Sequence, residues 1–220
     1  MPVVYLVRHG ETAWNRERRW QGRHDLPLTR LGQAQARAVG QRLAGLEGLT
    51  ALYASPLTRA WDTGVLVGRA CGLEPRRLEA LQEVDVGSWV GITAHEAAER
   101  FPDGHARWLA GGTGWTDGET YAEMSRRVLE GLAAVASRHP DARERIAIVS
   151  HGGPIRAIAC HAVGLPPDGR RLLANGPNGA ITVVDVQPER WVLVAYNDSG
   201  HVDHLLSLDR DGRALQPGTE

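Results

Sequence analysis

The sequence contains no lysine, so all 25 of its basic residues are arginine. This absence excludes Schiff-base chemistry on a lysine and the phosphate-binding lysine of a P-loop. Every cationic contact must come from a planar guanidinium that stays charged at neutral pH. The formal net charge is −1. No global positive field therefore favours nucleic acid or an anionic membrane as a partner, and any affinity for phosphate must be local.

Cysteines and long apolar runs are also scarce. The two cysteines, Cys71 and Cys160, form neither a disulfide framework nor a CxxC pair, so we expect reduced thiols and a cytoplasmic location. No apolar run approaches the roughly 20 residues that a membrane-spanning helix needs. The chain begins on a predicted strand, so no signal peptide is expected.

The organisation along the chain is an alternation of strands and helices. With 220 residues, 42% of them hydrophobic, we predict a single domain over residues 1–210 and a frayed tail over 211–220. The element order predicts a three-layer α/β/α fold with a mostly parallel central sheet. The irregular segment 86–118, rich in glycine and tryptophan, is interpreted as an insertion that covers the ligand site.

Two predicted strands end on histidine. The apolar run 3–7 leads to Arg8 and His9, and the run 145–150 leads to His151, Gly152 and a further glycine. Ligands of such sheets bind at the carboxyl ends of the strands. A neutral imidazole beside a guanidinium is suited to attack on phosphorus. The two strand ends therefore predict an anion site.

Four further features fit a phosphate site. Asn15 can donate its side-chain amide to a phosphate oxygen, and Gln21 and Gly22 lie on the same loop. Arg59 lies one turn into a helix that follows a strand, from where its guanidinium can reach a strand end. Glu83 lies in the glycine- and tryptophan-containing loop, although Glu79 and Asp85 are nearby alternative carboxylates.

In this order, the motifs resemble those of the histidine phosphatase superfamily, also called phosphoglycerate-mutase-like, over nearly the whole chain. The matching elements are Arg8-His9-Gly10-Glu11-Thr12, the Arg59 helix, the Glu83 loop with Gly87-x-Trp89-x-Gly91, and Ser150-His151-Gly152-Gly153. The resemblance implies the phosphoglycerate-mutase-like fold, with the active site at the carboxyl ends of the strands.

The resemblance also implies a mechanism. His9 would be the nucleophile that forms a phosphohistidine, and Glu83 would protonate the leaving oxygen and then help to activate water. A general acid has to hold a proton near neutral pH, so we expect Glu83 to be partly buried. The catalytic set would be His9, Glu83, Arg8, Arg59 and His151. The predicted substrate contacts are Arg8, Asn15, Gln21, Gly22, Arg59, His151 and the backbone N–H of Gly152.

No metal and no cofactor are predicted. Phosphoryl transfer depends on positioning and charge stabilisation, which arginine and histidine donors supply. Neighbouring cations should keep His9 neutral and hence nucleophilic. The pair His201 and His204 is an alternative metal site, but it lacks a convincing third ligand.

Three functions compete. The first is a phosphatase of the histidine acid phosphatase type, hydrolysing monoesters of a small phosphorylated metabolite such as a sugar phosphate, a phosphoglycerate or glucosyl-3-phosphoglycerate. The second is a 2,3-bisphosphoglycerate-dependent phosphoglycerate mutase. Such mutases are typically longer, with a tyrosine- and lysine-bearing stretch after the catalytic glutamate, whereas this chain has no lysine. The third is a catalytically silent module that binds a phosphorylated ligand.

Substrate recognition beyond the phosphate stays open at this stage. We hypothesise a pocket rimmed by Trp20, Trp108 or Trp115, which would suit a sugar or an aromatic ring. Three arginines are candidates for holding a substrate carboxylate, namely Arg19, Arg23 and Arg107. The family contains monomers and dimers, so a homodimer also stays open.

Overall fold

A computed structural model describes residues 2–206 of the protein. Six strands form one sheet in the order β3-β2-β4-β1-β5-β6. The strands are β1 (Val3–Arg8), β2 (Leu49–Ala54), β3 (Pro75–Arg77), β4 (Arg145–Ser150), β5 (Ile181–Val186) and β6 (Trp191–Asp198). Strands β3, β2, β4 and β1 run parallel, and β5 runs antiparallel to β1 and β6. The predicted mostly parallel α/β sheet is confirmed.

Eight helices accompany the sheet in the described part of the chain. They are α1 (Ala13–Arg16), α2 (Arg30–Ala44), α3 (Thr58–Cys71), α4 (Ala94–Arg100), α5 (Pro102–Leu109), α6 (Tyr121–Arg138), α7 (Gly152–Ala162) and α8 (Asp203–Leu206). Short 3-10 segments lie at Glu79–Leu81, Gly87–Trp89 and Pro167–Leu172. Over residues 2–206 no helix combines the length and the apolar character that crossing a membrane requires.

The sheet separates two hydrophobic cores. Along β1, Leu6 belongs to the core that contains Val128 of α6 and Ile158 of α7, whereas the next residue, Val7, belongs to the core that contains Val39 of α2. Successive strand residues face opposite sides of a sheet, so each strand supplies both cores. The helices therefore form a layer on each face, as the three-layer prediction requires.

Two helix starts differ from the sequence prediction. We expect α3 to begin at Ser55-Pro56, but it begins at Thr58. Ser55 N–H still donates to Val149 O, 2.9 Å away, which extends the pairing of β2, and Leu57 is the extended N-cap residue of the helix. We expect α7 to begin at Pro154, but it begins at Gly152, with His151 as its extended N-cap residue. Proline is tolerated in a first turn, where its missing N–H has no intrahelical partner.

The parallel pairing brings three strand ends to one edge of the sheet. Arg8 pairs with Ser150 in register, and Ala54 pairs with Val149. The residues that follow these ends, His9, Ser55 and His151, therefore emerge side by side. The single domain over 1–210 stays a prediction, and the predicted tail 211–220 lies outside the described residues.

Candidate active site

The ring of His9 is held in one tautomer at the end of β1. His9 Nδ1 lies 2.7 Å from Gly10 O, and a carbonyl can only accept, so the ring donates its Nδ1–H. The neutral ring then carries its lone pair on Nε2, where Arg59 Nε donates across 3.3 Å. Burial holds the pKa of His9 well below its ordinary value, and the charges of Arg59 and Arg8 add to this effect. Burial, more than the neighbouring cations that the sequence suggested, therefore favours the neutral imidazole.

His151 packs directly beside His9. The two ring centroids are 5.2 Å apart, and the rings are tilted by 60°. His151 Nε2 lies 2.8 Å from Ser55 Oγ, while Nδ1 is buried without a hydrogen-bond partner in the described part of the protein. Burial, followed by the charge of Arg59, holds the pKa of His151 well below its usual value. The predicted meeting of the two imidazoles is therefore present.

Arg59 is a buried guanidinium at the start of α3. Only 1% of the residue is exposed. Besides the contact to His9, its Nη1 donates to His24 O at 2.8 Å, and its Nη2 donates to Gly22 O at 2.7 Å. Gly22 adopts a φ of 51°, which favours glycine, and this turns its carbonyl towards the guanidinium. Burial lowers the pKa of Arg59 to about 10.

The loop after His9 orients two side-chain amides. Asn15 Oδ1 accepts from Thr12 N at 3.0 Å and from Asn178 Nδ2 at 3.2 Å. Gln21 Oε1 accepts from Thr12 Oγ1 at 3.0 Å. Both oxygens are therefore occupied, and within residues 2–206 the two NH2 groups stay available as donors on a cavity wall that these residues line.

Glu83 is half-buried and faces the start of α7. Its Oε1 accepts from Val84 N at 2.9 Å, and its Oε2 accepts from Gly153 N at 3.3 Å. A Cβ atom at position 153 would lie 2.2 Å from Oε1, so the close approach requires glycine. The alternative carboxylates, Glu79 and Asp85, are absent from the cavity lining.

Arg127 fixes the backbone of Glu83, a role that the sequence analysis missed. Its Nη2 donates to Glu83 O at 3.0 Å, and its Nη1 donates to Gln82 O at 2.8 Å. Its Nε and Nη2 also pair with the two carboxylate oxygens of Glu119, at 2.6 and 2.7 Å. Such bidentate pairs are rigid, so Arg127 anchors the Glu83 loop to α6.

These side chains surround one cavity of 330 Å³. Of the nine predicted site residues, eight line it: Arg8, His9, Asn15, Gln21, Gly22, Arg59, Glu83 and Gly152. The exception is His151, which is completely buried. It packs against His9 and does not reach the cavity surface. Arg8 also lines the cavity, its Nη1 donates to Gly176 O, and its Nε has no partner among the described residues.

The tryptophan hypothesis holds in part. Trp20 and Trp108 line the cavity and meet edge to face, with ring centroids 5.5 Å apart. Trp115 is buried, packs on Trp89 and Tyr121, and donates its Nε1–H to Glu119 O at 2.9 Å. A role for Trp115 at the pocket rim is therefore wrong. The segment 86–118 supplies Val86 and Trp108 to the cavity wall.

The three arginines proposed for a substrate carboxylate are already engaged. Arg19 lines the cavity but pairs with Glu17 and Glu96, each at 2.9 Å. Arg23 pairs with Glu119 at 3.3 Å, and Arg107 donates to Gly114 O at 3.0 Å; neither lines the cavity. The structure instead places Arg156 and Asn175 on the wall. Arg156 follows Gly152 by one helical turn, a spacing that could have identified it.

The two histidines of the alternative metal site, His201 and His204, lie in surroundings that do not suit a metal ion. His201 Nε2 lies 3.0 Å from Gly179 O and so donates to it. His204 is exposed on α8. Within residues 2–206, no group of three or more histidine, cysteine, aspartate or glutamate residues has an arrangement that could hold a metal ion.

The chain belongs to the histidine phosphatase superfamily (branch 1), whose family model matches residues 4–199. It is 32% identical over 218 residues to a metal-independent phosphoserine phosphatase of Arabidopsis thaliana, covering 96% of this chain and 88% of that protein. It is 36% identical over 210 residues to the probable phosphoglycerate mutase GpmB of Salmonella arizonae, covering 93% and 95%.

Solved structures agree with the assignment. Bacillus stearothermophilus YhfR superposes with a TM-score of 0.85 at 29% identity, covering 92% of this chain and 100% of that one. A mycobacterial glucosyl-3-phosphoglycerate phosphatase, solved in complex with VO3, superposes with a TM-score of 0.81 at 28% identity, covering 90% and 99%. The relatives therefore include phosphatases and a probable mutase.

Proposed function

We propose that the protein is a metal-independent phosphomonoester phosphatase that works through a phosphohistidine on His9. The observation that carries the proposal is the fixed tautomer of His9. Gly10 O holds the proton on Nδ1, and the lone pair on Nε2 adjoins Arg59 in a cavity that also contains Arg8 and Glu83. A neutral nucleophile between two guanidinium groups fits attack on a phosphate dianion.

In the first step, the lone pair of His9 Nε2 attacks phosphorus, and the bond to the ester oxygen breaks. The leaving oxygen takes a proton from Glu83. Arg8 and Arg59 neutralise the charge on the phosphoryl oxygens, and the NH2 groups of Asn15 and Gln21 add hydrogen bonds. Phosphate entry requires Arg59 Nε–H to exchange its contact with His9 for a phosphoryl oxygen.

In the second step, the Glu83 carboxylate takes a proton from water, whose oxygen attacks phosphorus. The phosphorus–nitrogen bond breaks, inorganic phosphate leaves, and His9 regains its lone pair. His151 lies one layer behind the cavity surface, where it packs on His9. Its Nδ1 has no hydrogen-bond partner within residues 2–206. This nitrogen can therefore donate to a phosphoryl oxygen, or His151 can help to position the nucleophile.

Two of the relatives are phosphatases and support this proposal, and the probable phosphoglycerate mutase GpmB, at 36% identity, keeps the mutase as the second candidate. The metal-independent phosphoserine phosphatase and the glucosyl-3-phosphoglycerate phosphatase each align over at least 90% of the chain. The chain also has no lysine with which to hold a phosphorylated acid in the manner expected of the longer mutases. The proposed partner is a small phosphorylated metabolite, with neither nucleic acid nor a membrane; a cytoplasmic location and a homodimer stay predictions from the sequence.

A screen for phosphate release, with a mutase assay in parallel, tests the proposal. The assays use 3-phosphoglycerate with and without 2,3-bisphosphoglycerate, alongside p-nitrophenyl phosphate and a set of sugar phosphates. Release without isomerisation supports the phosphatase. Faster isomerisation establishes the mutase, and neither reaction on any compound supports the silent binding module.

A further inference from the structure

The cavity carries more positive charge than one phosphate needs. Its wall contains one carboxylate, Glu83, and five arginines, namely Arg8, Arg18, Arg19, Arg59 and Arg156. Arg19 is neutralised by Glu17 and Glu96. Arg8 and Arg59 together match a phosphate dianion. The other two, Arg18 and Arg156, leave charge for a second anionic group.

Arg156 is the better placed of these two cations. In the described part of the chain its side chain has no ion-pair or hydrogen-bond partner, and its Nε is buried. Arg18 likewise has no side-chain partner within residues 2–206, but it is exposed, so water solvates its charge. A buried N–H without a partner is costly, which indicates that Arg156 is built to meet a ligand.

The location of Arg156 joins the phosphate pocket to a second space. Gly152 and Arg156 are four residues apart and lie on one face of α7. Arg156 lines the main cavity and also an adjoining cavity of 230 Å³, and both cavities share Trp20, Trp108 and Asn175. The adjoining cavity is also lined by Arg170, whose terminal nitrogens donate to Gly111 O and Gly112 O, and by the exposed Arg171. A substrate with its phosphate at His9 can therefore extend past the tryptophans to Arg156.

Electrostatics between the arginines supports the same interpretation. Burial lowers the pKa of Arg8, and the charge of Arg156 adds to that lowering while Glu83 opposes it. Two guanidinium groups close enough to influence each other repel, and an anion between them removes the repulsion. Since Arg170 is engaged by backbone carbonyls and Arg171 is exposed, Arg156 with the amide of Asn175 is the set that matches a monoanionic carboxylate, whereas a second phosphate dianion would require two cations without protein partners.

We propose that Arg156, assisted by Asn175, forms a carboxylate subsite beside the phosphoryl pocket, so that the substrate is a phosphorylated carboxylic acid. This inference rests on the proposed function and narrows it to a substrate class. It excludes neutral sugar phosphates as preferred substrates. It also means that the substrate carboxylate binds to Arg156 on α7, and not to Arg19 or Arg23 of the first loop or to Arg107 of α5.

Matched pairs of compounds test the subsite. L-phosphoserine differs from phosphoethanolamine only by its carboxylate, and 3-phosphoglycerate is compared with glycerol 3-phosphate. We measure kcat and KM for each compound, and its inhibition constant against p-nitrophenyl phosphate hydrolysis. We expect the wild-type protein to prefer the carboxylated member of at least one pair by about tenfold or more, the size of a charge-assisted hydrogen bond.

Three variants identify the residue responsible. Arg156→Gln should lose about tenfold in kcat/KM on the preferred acid, mostly through KM, and less than about twofold on the compound paired with it that has no carboxylate. Arg156→Lys keeps the charge without the planar fork and should fall between Arg156→Gln and the wild type. Arg126→Gln, which removes the same charge from an exposed position on α6, should keep the preference.

Any of three results would contradict the proposed subsite. The wild-type protein could show no preference within either pair, Arg156→Gln could lose kcat/KM equally on both members of a pair, or the wild-type protein could prefer bisphosphorylated compounds to acids. Failure of the proposed function looks different, because no compound, p-nitrophenyl phosphate included, would then release phosphate. The rise in Tm that each compound produces would still measure the carboxylate preference in that case.

Discussion

Arg59 donates its Nε–H to Nε2 of His9 across 3.3 Å, while its two terminal nitrogens are held by the carbonyls of His24 and Gly22. Two backbone carbonyls thus fix the guanidinium in the orientation in which its Nε–H points at the nucleophile. One residue therefore aligns the imidazole and provides positive charge next to the atom that attacks phosphorus. This preorganisation costs no rearrangement of the backbone during the reaction.

Replacing the nucleophile should abolish turnover. His9→Gln removes the attacking lone pair, so we expect a loss of about 10⁴-fold or more in kcat, measured as phosphate release. Rapid acid-free quenching with labelled substrate should trap a phosphorylated protein in the wild type only. His95→Gln, on the exposed surface of α4, serves as the control and should keep native kinetics. A His9→Gln protein that turns over at the native rate would end the mechanism.

The role of Glu83 predicts a dependence on the leaving group. Glu83→Gln should lower kcat by about 10² to 10³-fold on an alkyl phosphate, whose leaving oxygen needs a proton. The loss should be far smaller on p-nitrophenyl phosphate, because nitrophenolate leaves without protonation. Asp85→Asn, which alters a carboxylate outside the cavity lining, is the matched control. Equal losses on the two substrates would show that Glu83 is not the acid.

The approach of Gly153 to Glu83 can be tested with one methyl group. In Gly153→Ala the added Cβ would lie 2.2 Å from Glu83 Oε1 and 3.1 Å from Met124 Sδ, so the carboxylate has to move. We expect a loss of at least about tenfold in kcat on alkyl phosphates, since small displacements of a catalytic group are costly. Gly45→Ala, whose nearest neighbouring atom would be 4.0 Å away, should keep native activity. A fully active Gly153→Ala variant would contradict the proposed position of the acid.

Acid should destabilise the protein through its two buried imidazoles. The pKa of His9 and that of His151 are held well below the ordinary 6.5, chiefly by burial. Below that pH the unfolded chain binds protons that the folded protein does not, so the free energy of unfolding falls as pH decreases. Each imidazole contributes up to about 1.4 kcal/mol per pH unit.

Urea unfolding at pH 7.5, 6.5 and 5.5 measures this effect. The double variant His9→Gln/His151→Gln should show a shallower decline of stability below pH 6.5 than the wild type. His95→Gln changes an exposed histidine and should keep the wild-type decline. Identical slopes in all three proteins would mean that the two imidazoles are protonated in the folded state as readily as in the unfolded chain.

An anion that fills the phosphoryl pocket should inhibit and stabilise the protein. Orthovanadate at about 100 times its Kd would add about 2.7 kcal/mol to the free energy of unfolding, which corresponds to a rise in Tm of roughly 5–10 °C. Arg59→Gln should lose most of this rise. No inhibition and no rise at millimolar vanadate would count against the pocket.

Chelation is a separate test of the metal question. Treatment with EDTA should leave phosphate release unchanged, because the proposed steps use only protein groups and water. A loss of activity that zinc or manganese restores would instead favour the alternative site at His201 and His204.

Local signals predicted the parts of the site that adjoin strand ends. Arg8, His9, His151 and Gly152 follow apolar runs directly, and parallel pairing places such ends at one edge of the sheet. Ser55 follows β2 in the same way and was overlooked, although it bonds His151 at 2.8 Å. The sequence places Ser55 directly after a strand, as it does His9 and His151. Because α3 was predicted to begin at Ser55-Pro56, Ser55 was interpreted as part of the helix start and not as a strand end.

Contacts between segments that are distant along the chain could not be predicted from the sequence in this way. Trp115 and Trp108 lie in one irregular segment, yet one is buried against Tyr121 and the other lines the cavity. Arg127 meets the Glu83 backbone across 44 positions of the chain. Periodicity places such residues on a face of their own helix but does not say which loop that face will contact.

By itself the sequence determined the alternation of elements, the histidines at the strand ends and the reliance on arginine for positive charge, because these depend on neighbouring residues and on composition. Only the tertiary structure decided which cations are already paired and which are left for a ligand. Arg19, Arg23 and Arg107 are engaged by partners on the protein, whereas Arg156 faces the cavity without one in the described part of the chain. The physical reason is that a charge is neutralised by whatever the fold brings within a few ångströms, and a linear sequence does not contain that distance.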